Sequence, residues 1–396
     1  MTYLSNFSLL LFVFGVNFEY WDPFGLQGIF SVTKITAIIY ILTWIPQFRR
    51  ISLGYKPLLY FCTPIFVYLF IEFVSSAINI RYADDFFDTF NFKVLQLIVL
   101  LILVVNHINN NPRMLNWIIY SYIANVVLLS ILSLSGIGVE LGAAGEGGRL
   151  LLFGENPNMV GMKASFAVLI ILHIILTQSG FWNKAIFVGL LVLIFSMLIA
   201  TASRGALLSV FIGLSILVLV QKITIVQKGF FLALGLLFSF AAFNYVLTQD
   251  ENFAMRLYVL LEEGNTGRNS LWEGAFQAIM DNPLIGVGRP GALPTMEQYI
   301  GRAMDPHNVF LYVFMTTGIV GFMFFITFLY RLAKKLYTDY KLTNNGLYLS
   351  LFGVLVFNMS KAGGFINHIF LWFFLSVLIG SVIYNRKTLR LERRIL

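Results

Sequence analysis

The sequence predicts an all-α integral membrane protein of about twelve transmembrane helices, with one long outer loop that carries short helices. Three observations predict it. Hydrophobic residues make up 58% of the 396-residue chain and charged residues 12%, where a soluble domain carries about 45–50% and about 25%. The apolar residues fall in runs close to the ~20 residues that a spanning helix needs. The charges collect at the ends of those runs, with basic residues gathered on one side. Charges this sparse cannot coat a soluble surface, which excludes a soluble domain, a coiled coil and a disulfide scaffold as main themes. The net charge of +8 follows from membrane sidedness and implies no nucleic-acid partner.

Taken in order, the runs cover approximately 4–18, 29–46, 57–80, 89–106, 114–135, 158–177, 184–201, 206–220, 229–247, 307–330, 346–360 and 368–384. The first run lacks a basic n-region and a small-residue cleavage site, so it reads as a span rather than a removable signal. The seventh and eighth form a tight hairpin with Thr201-Ala202-Ser203-Arg204-Gly205 at its tip. Placing both termini in the cytoplasm puts Arg49, Arg50, Arg113, Arg331, Lys334, Lys335 and the basic tail on the inside. Only Asp339 and Glu392 among the acids join them. The expected location is therefore an inner membrane, crossed many times. Residues 1–396 read as one polytopic domain without internal repeats.

Two longer loops face outward. One, roughly 136–157, is glycine-rich and holds Arg149 and the Glu155-Asn156-Pro157-Asn158 turn. The other, 248–306, is too long for a simple connector. Within it, Ser270-Leu271-Trp272-Glu273 reads as a capping box opening a short helix. Leu271, Ala275, Ala278 and Ile279 recur at helical spacing, and Trp272 and Phe276 suit a helix lying on the membrane interface. Asn282-Pro283 ends that helix, and Gly286-Val287-Gly288 follows as a turn.

Several outer residues carry usable chemistry. Arg204, at the hairpin tip, is either an interfacial anchor or a ligand for an anion whose geometry fits a guanidinium fork. Arg268 stands before the capped helix, so a guanidinium and a helix N-terminus sit side by side, a pairing that suits phosphate. Arg149 is a further candidate. Arg256, Arg289 and Arg302 read as solvated loop charges. His307 follows Asp305-Pro306 at the outer membrane boundary, where an imidazole can act as a base near neutral pH. The adjacent Asp305 is a candidate to orient it. Among the other histidines, His107 reads as a solvated loop residue, His173 as a satisfied packing residue and His368 as the opening of the last span. Cys62 reads as a small buried hydrophobe. Glu72 is either a polar partner for Lys34 or a site residue. The sequence has no zinc-ligand spacing, no phosphate-binding GxxxxGK[ST] loop and no serine elbow. The residues thus point to an anionic, lipid-attached substrate handled at the outer leaflet.

Three motifs resemble one family. Ala202-Ser203-Arg204-Gly205-Ala206-Leu207-Leu208 resembles the Ser-Arg-Gly hairpin of the O-antigen polymerase/ligase superfamily. Gly267-Arg268 with Leu271-Trp272, then Asp281-Asn282-Pro283-Leu284-Ile285-Gly286-Val287-Gly288, resembles its long-loop signature. His307-Asn308, followed by Leu311 and Gly318, resembles its next element, and together these cover 202–330. Gly148-Arg149 and Asn156-Pro157-Asn158 fit the shorter outer loop more loosely. The resemblance implies a membrane glycosyltransferase of the GT-C type that works at the periplasmic leaflet on glycans carried by undecaprenyl diphosphate. It implies inverting chemistry with neither metal nor cofactor. It places Arg204 and Arg268 on the diphosphate, makes His307 the base, and gives Arg149 a part in holding carrier or glycan. Asn308, Asp305 and Asn158 would support the site, and Trp272 and Tyr299 would stack on sugar rings. The superfamily holds polymerases, which join lipid-linked repeat units, and ligases, which move the finished chain to the lipid A core. The shared motifs do not separate them; the expectation is a polymerase, served by a chain-length regulator. A lipid-linked oligosaccharide flippase or transporter would instead show charges deep in its spans and two related halves.

Overall fold

A computed structural model describes residues 2–25, 30–51, 56–141, 150–177, 180–220, 224–249 and 268–395. Each of the twelve apolar runs falls on a helix. Six helices are long and apolar enough to cross a membrane: Lys56–Ile78, Phe92–Asn110, Met114–Leu134, Pro157–Thr177, Phe181–Ala200 and Val309–Thr343. Tyr3–Gly15, Val32–Leu42, Arg204–Val220, Leu347–Met359 and Ile369–Asn385 are shorter apolar helices. By length and composition these helices are those of a multi-pass membrane protein.

The chain divides into two compact units. The first comprises Met1–Arg50, His107–Glu262 and Asp339–Val354; the second comprises Ile51–Asn106, Glu263–Thr338 and Leu355–Leu396.

In the first unit, Pro157–Thr177 is the central helix, and it packs against Phe181–Ala200 and Arg204–Val220. Glycines permit the close approach. A Cβ on Gly161 would stand 2.7 Å from Ala206 Cβ, and one on Gly213 would stand 2.2 Å from Leu169 Cδ1. The unit also holds a short antiparallel hairpin, Val139–Leu141 with Leu150–Leu152, which hydrophobic periodicity did not signal. Two readings change here. His107 is buried rather than solvated, with Tyr40 Oη 3.3 Å from Nδ1 and Asn6 Oδ1 2.9 Å from Nε2. His173 is half-buried, but its Nδ1 has no partner, so it packs without being satisfied.

In the second unit, the last helix is buried along its apolar length, from Ile369 to Ile383. The helix Val309–Thr343 is broken at Gly318 (φ 60°, ψ −169°), a conformation open essentially only to glycine. A break in a span leaves backbone groups that lipid cannot satisfy, so protein must satisfy them. The turn 282–288 does this. Val287 N–H donates to the Met315 carbonyl (2.9 Å), and Ile319 N–H donates to the Pro283 carbonyl (2.8 Å). Ser75 Oγ donates to the Thr316 carbonyl at 2.8 Å. The contact is backbone on backbone. A Cβ on Gly318 would lie 2.3 Å from the Leu284 carbonyl, and one on Gly286 (φ 77°) would lie 2.5 Å from the Met315 oxygen. Asn79 Nδ2 adds a bond to the Gly286 carbonyl (3.3 Å), and Arg289 N–H bonds Ser76 Oγ (3.0 Å). The Asn-Pro-Leu-Ile-Gly-Val-Gly stretch is therefore the clamp that holds a broken span.

Gly318→Ala, which combines this clash with forbidden torsions, should cost more than about 3 kcal/mol. It should appear as a large fall in thermal midpoint or as loss of monodisperse protein.

Candidate functional site

The broken helix Val309–Thr343 begins at Val309 because Asn308 caps it. Asn308 Oδ1 accepts from the backbone N–H of Phe310 (2.9 Å) and Leu311 (3.3 Å), the N-cap arrangement. Immediately before it, His307 adopts φ 48°. A branched-ring residue in the left-handed region is held there by its surroundings. Asp305 does the holding: its Oδ1 accepts the His307 backbone N–H at 2.6 Å and lies 3.1 Å from His307 Nδ1. With Nδ1 bound to a carboxylate, Nε2 is left as the proton-accepting nitrogen. The His307 side chain is 43% exposed, so it is reachable from solvent.

Burial alone would raise the Asp305 carboxyl. Hydrogen bonds from the His307 side chain, its charge, and backbone bonds from His307 and Gly364 outweigh that and hold it below the usual carboxylate range.

The helix carrying Arg268 lies beside this turn. Trp272 Nε1–H donates to the Pro306 carbonyl at 3.2 Å, which ties the helix's first turns to the residue before His307. That helix is Arg268–Asp281. Ser270 is thus already helical, and the expected capping box is not the helix start. Arg268 is half-buried, and burial pushes its pKa down. A second loop helix, Gly288–Ile300, follows. Its prolines hid it from the sequence reading, although Pro290 sits in the first turn, where a missing N–H costs nothing. Tyr299 Oη donates to Asp281 Oδ2 and so links the two loop helices. Arg289, expected to be a solvated charge, is half-buried and donates to the Asp88 carbonyl. Glu72 is fully buried, with Asn91 Nδ2 at 3.1 Å and Tyr68 Oη at 3.4 Å as its partners.

Asp305, His307, Asn308, Trp272, Tyr299 and Arg268 thus share the second unit. Arg204 and Asn158 belong to the first. There, Ser203 Oγ bonds Asn158 Oδ1 (3.0 Å) and accepts the Ala206 N–H (3.3 Å). Ser203 therefore caps Arg204–Val220, and Ala202 (φ 46°) makes the sharp turn that sets Arg204 at its first position. Arg149 lies outside the described residues, as do Arg256 and Gly267. Residues 189–326 match the family described as O-antigen ligase. The match covers roughly a third of the chain and supports the O-antigen polymerase/ligase superfamily, with ligase- or polymerase-type function in general. No curated protein matches the chain.

The sequence reading gave no role to three charged residues. Lys163 and Glu155 form an ion pair buried to 2% and 3% exposure in the first unit. Lys361, in the second, lies between two apolar runs, the signal by which it was findable.

Because the folded Asp305 carboxyl is depressed, its contribution to stability is present above the unfolded value of about 3.9 and is lost as pH falls through the folded one. Asp305→Asn should therefore melt below the wild type at pH 7, and the difference should close below about pH 4.

Proposed function

We propose that the protein transfers a glycan from undecaprenyl diphosphate to a sugar hydroxyl at the periplasmic leaflet, by an inverting, metal-independent reaction of the GT-C type. One observation carries the reading: a histidine fixed through Nδ1 by a carboxylate, with Nε2 left as base, tied through Pro306 and Trp272 to the helix that begins with Arg268. In the reaction, the acceptor hydroxyl oxygen attacks the anomeric carbon and the bond from that carbon to the diphosphate oxygen breaks. The hydroxyl proton passes to His307 Nε2. Asp305 holds the ring and stabilises the imidazolium that forms. The diphosphate leaves with the electron pair, and the Arg268 guanidinium meets the growing negative charge. Trp272 and Tyr299 would offer ring faces to the glycan. This reading stands on the second unit's residues; Arg204 keeps the anion-binding role that the resemblance implies.

The preferred acceptor is a second lipid-linked repeat unit, which makes the protein a surface-polysaccharide polymerase. Transfer to the lipid A core is the second reading, favoured by the ligase description of the matched family. Reconstitution of the purified protein with its lipid-linked repeat unit separates them. A product ladder without lipid A core means polymerase, and product only with lipid A core means ligase. No product from an authenticated donor contradicts both.

His307→Ala should lower transfer by about 10²–10⁴-fold while the protein still folds, since that is the usual worth of a general base. Arg268→Lys should lower it by about tenfold, because lysine offers a point charge in place of a fork. Unchanged turnover in either variant removes that residue from the mechanism.

A further inference from the structure

The basic ends of the spans hold a cavity that glycan transfer does not use. In the second unit, the first turns of Lys56–Ile78, the later part of Val309–Thr343 and the last helix border a space of about 210 Å³. Lys56, Pro57, Tyr60, Phe61, Lys335 and Val382 line it. Phe61 and Val382 are buried and form an apolar floor. Lys56 is exposed at the rim, and Lys335 is half-buried.

Three cations converge on Tyr60. Arg331 Nη1 donates to the Tyr60 carbonyl (2.7 Å), and its guanidinium carbon stands 4.7 Å from the centroid of the Tyr60 ring. The Lys335 ammonium stands 5.3 Å from the same centroid. Arg331 and Lys335 are one helical turn apart, a spacing at which like charges repel. Lys56 precedes Tyr60 by one turn of its own helix and brings a third positive charge to the same face. The ring recovers part of the cost. Among the described residues, no carboxylate forms an ion pair with Lys56 or Arg331.

Membrane sidedness by itself places lysine and arginine at span ends, and such residues reach outward to headgroups and water. Lys334 does so: it is exposed, with its ammonium 6.0 Å from the Tyr330 ring. Its neighbours Arg331 and Lys335 are instead half-buried against Tyr60. An anion at the rim would relieve the repulsion among the three cations, and the helix N-terminus at Lys56 favours negative charge. The apolar floor calls for a hydrocarbon chain attached to that anion. A free phosphate would leave the floor uncovered, whereas a phospholipid uses both parts, as basic pockets between spans do.

We infer that this cavity binds an anionic phospholipid of the surrounding bilayer, with its phosphate between Lys56 and Lys335 and its acyl chain against Phe61 and Val382. His307 precedes the opposite end of the same long helix, so the lipid site is separate from the proposed glycan chemistry and does not depend on it.

The test uses the purified full chain with phosphatidylglycerol and phosphatidylcholine of matched acyl chains as probes, and native mass spectrometry counts the bound lipid across a titration. The wild type should hold phosphatidylglycerol about tenfold or more tightly than phosphatidylcholine. Lys56→Gln should weaken phosphatidylglycerol about fivefold, the worth of one lysine at an anionic headgroup, and leave phosphatidylcholine unchanged. Lys56→Arg, which keeps the charge, should restore most of that loss. Lys334→Gln removes the same charge from an exposed position that does not line the cavity, and it should change binding less than about twofold at physiological salt. Should Lys56→Gln not yield monodisperse protein, Lys335→Gln takes its place with the same expectation. Equal losses in the cavity variant and in Lys334→Gln would mean diffuse surface charge and overturn the site. A wild type that holds both lipids equally overturns it whatever the variants do. Displacement of the lipid by inorganic phosphate at matched ionic strength would assign the cavity to a free anion and overturn the lipid.

Discussion

The second unit depends on a backbone exchange between the turn 282–288 and the break at Gly318. A membrane span that stops being helical must find hydrogen-bond partners within the protein. Here Val287, Pro283 and Ser75 supply them. The approach is so close that neither Gly286 nor Gly318 has room for a side chain. The exchange fixes the end of the Arg268–Asp281 helix against the span that His307 precedes. The Trp272–Pro306 bond fixes the other end of the same helix. Held at two points, the helix keeps its first turns, which carry Arg268, tied to the residue before His307.

Around this frame the polar residues divide by task. Asn308 caps a helix, Ser203 caps another, and Tyr299 joins two loop helices. Asp305 sets both the backbone and the ring of His307. The left-handed torsion at His307 is strain stored where the chemistry would occur, and the short Asp305 bond is what sustains it.

Most of the fold was legible from hydrophobic run length, because a bilayer imposes a length on every span. The runs at 158–177 and 114–135 match their helices within a residue. What escaped had no periodic signature. The hairpin Val139–Leu141 with Leu150–Leu152 is too short for an alternation to register, and Gly288–Ile300 opens on the glycine read as part of a turn and carries two prolines, one of them in its first turn. At the site, His307 and Asp305 were visible as residue types at the outer boundary, and their contact was not, since two positions apart carries no geometry by itself. His107 was misread because a polar residue near a span end looks solvated until its partners Tyr40 and Asn6, distant in sequence, are brought to it. The glycines of the 282–288 turn looked like part of a functional signature, and they serve the clamp instead.

We propose that the turn at Asp305–His307 and the helix beginning at Arg268 form the place where a lipid diphosphate is cleaved from its glycan. An experimental structure of the protein in nanodiscs, bound to its undecaprenyl-diphosphate-linked glycan, tests it most directly. The account predicts a diphosphate within hydrogen-bond reach of Arg268, with the first sugar's anomeric carbon on the Nε2 side of His307. A diphosphate held away from both residues would contradict it.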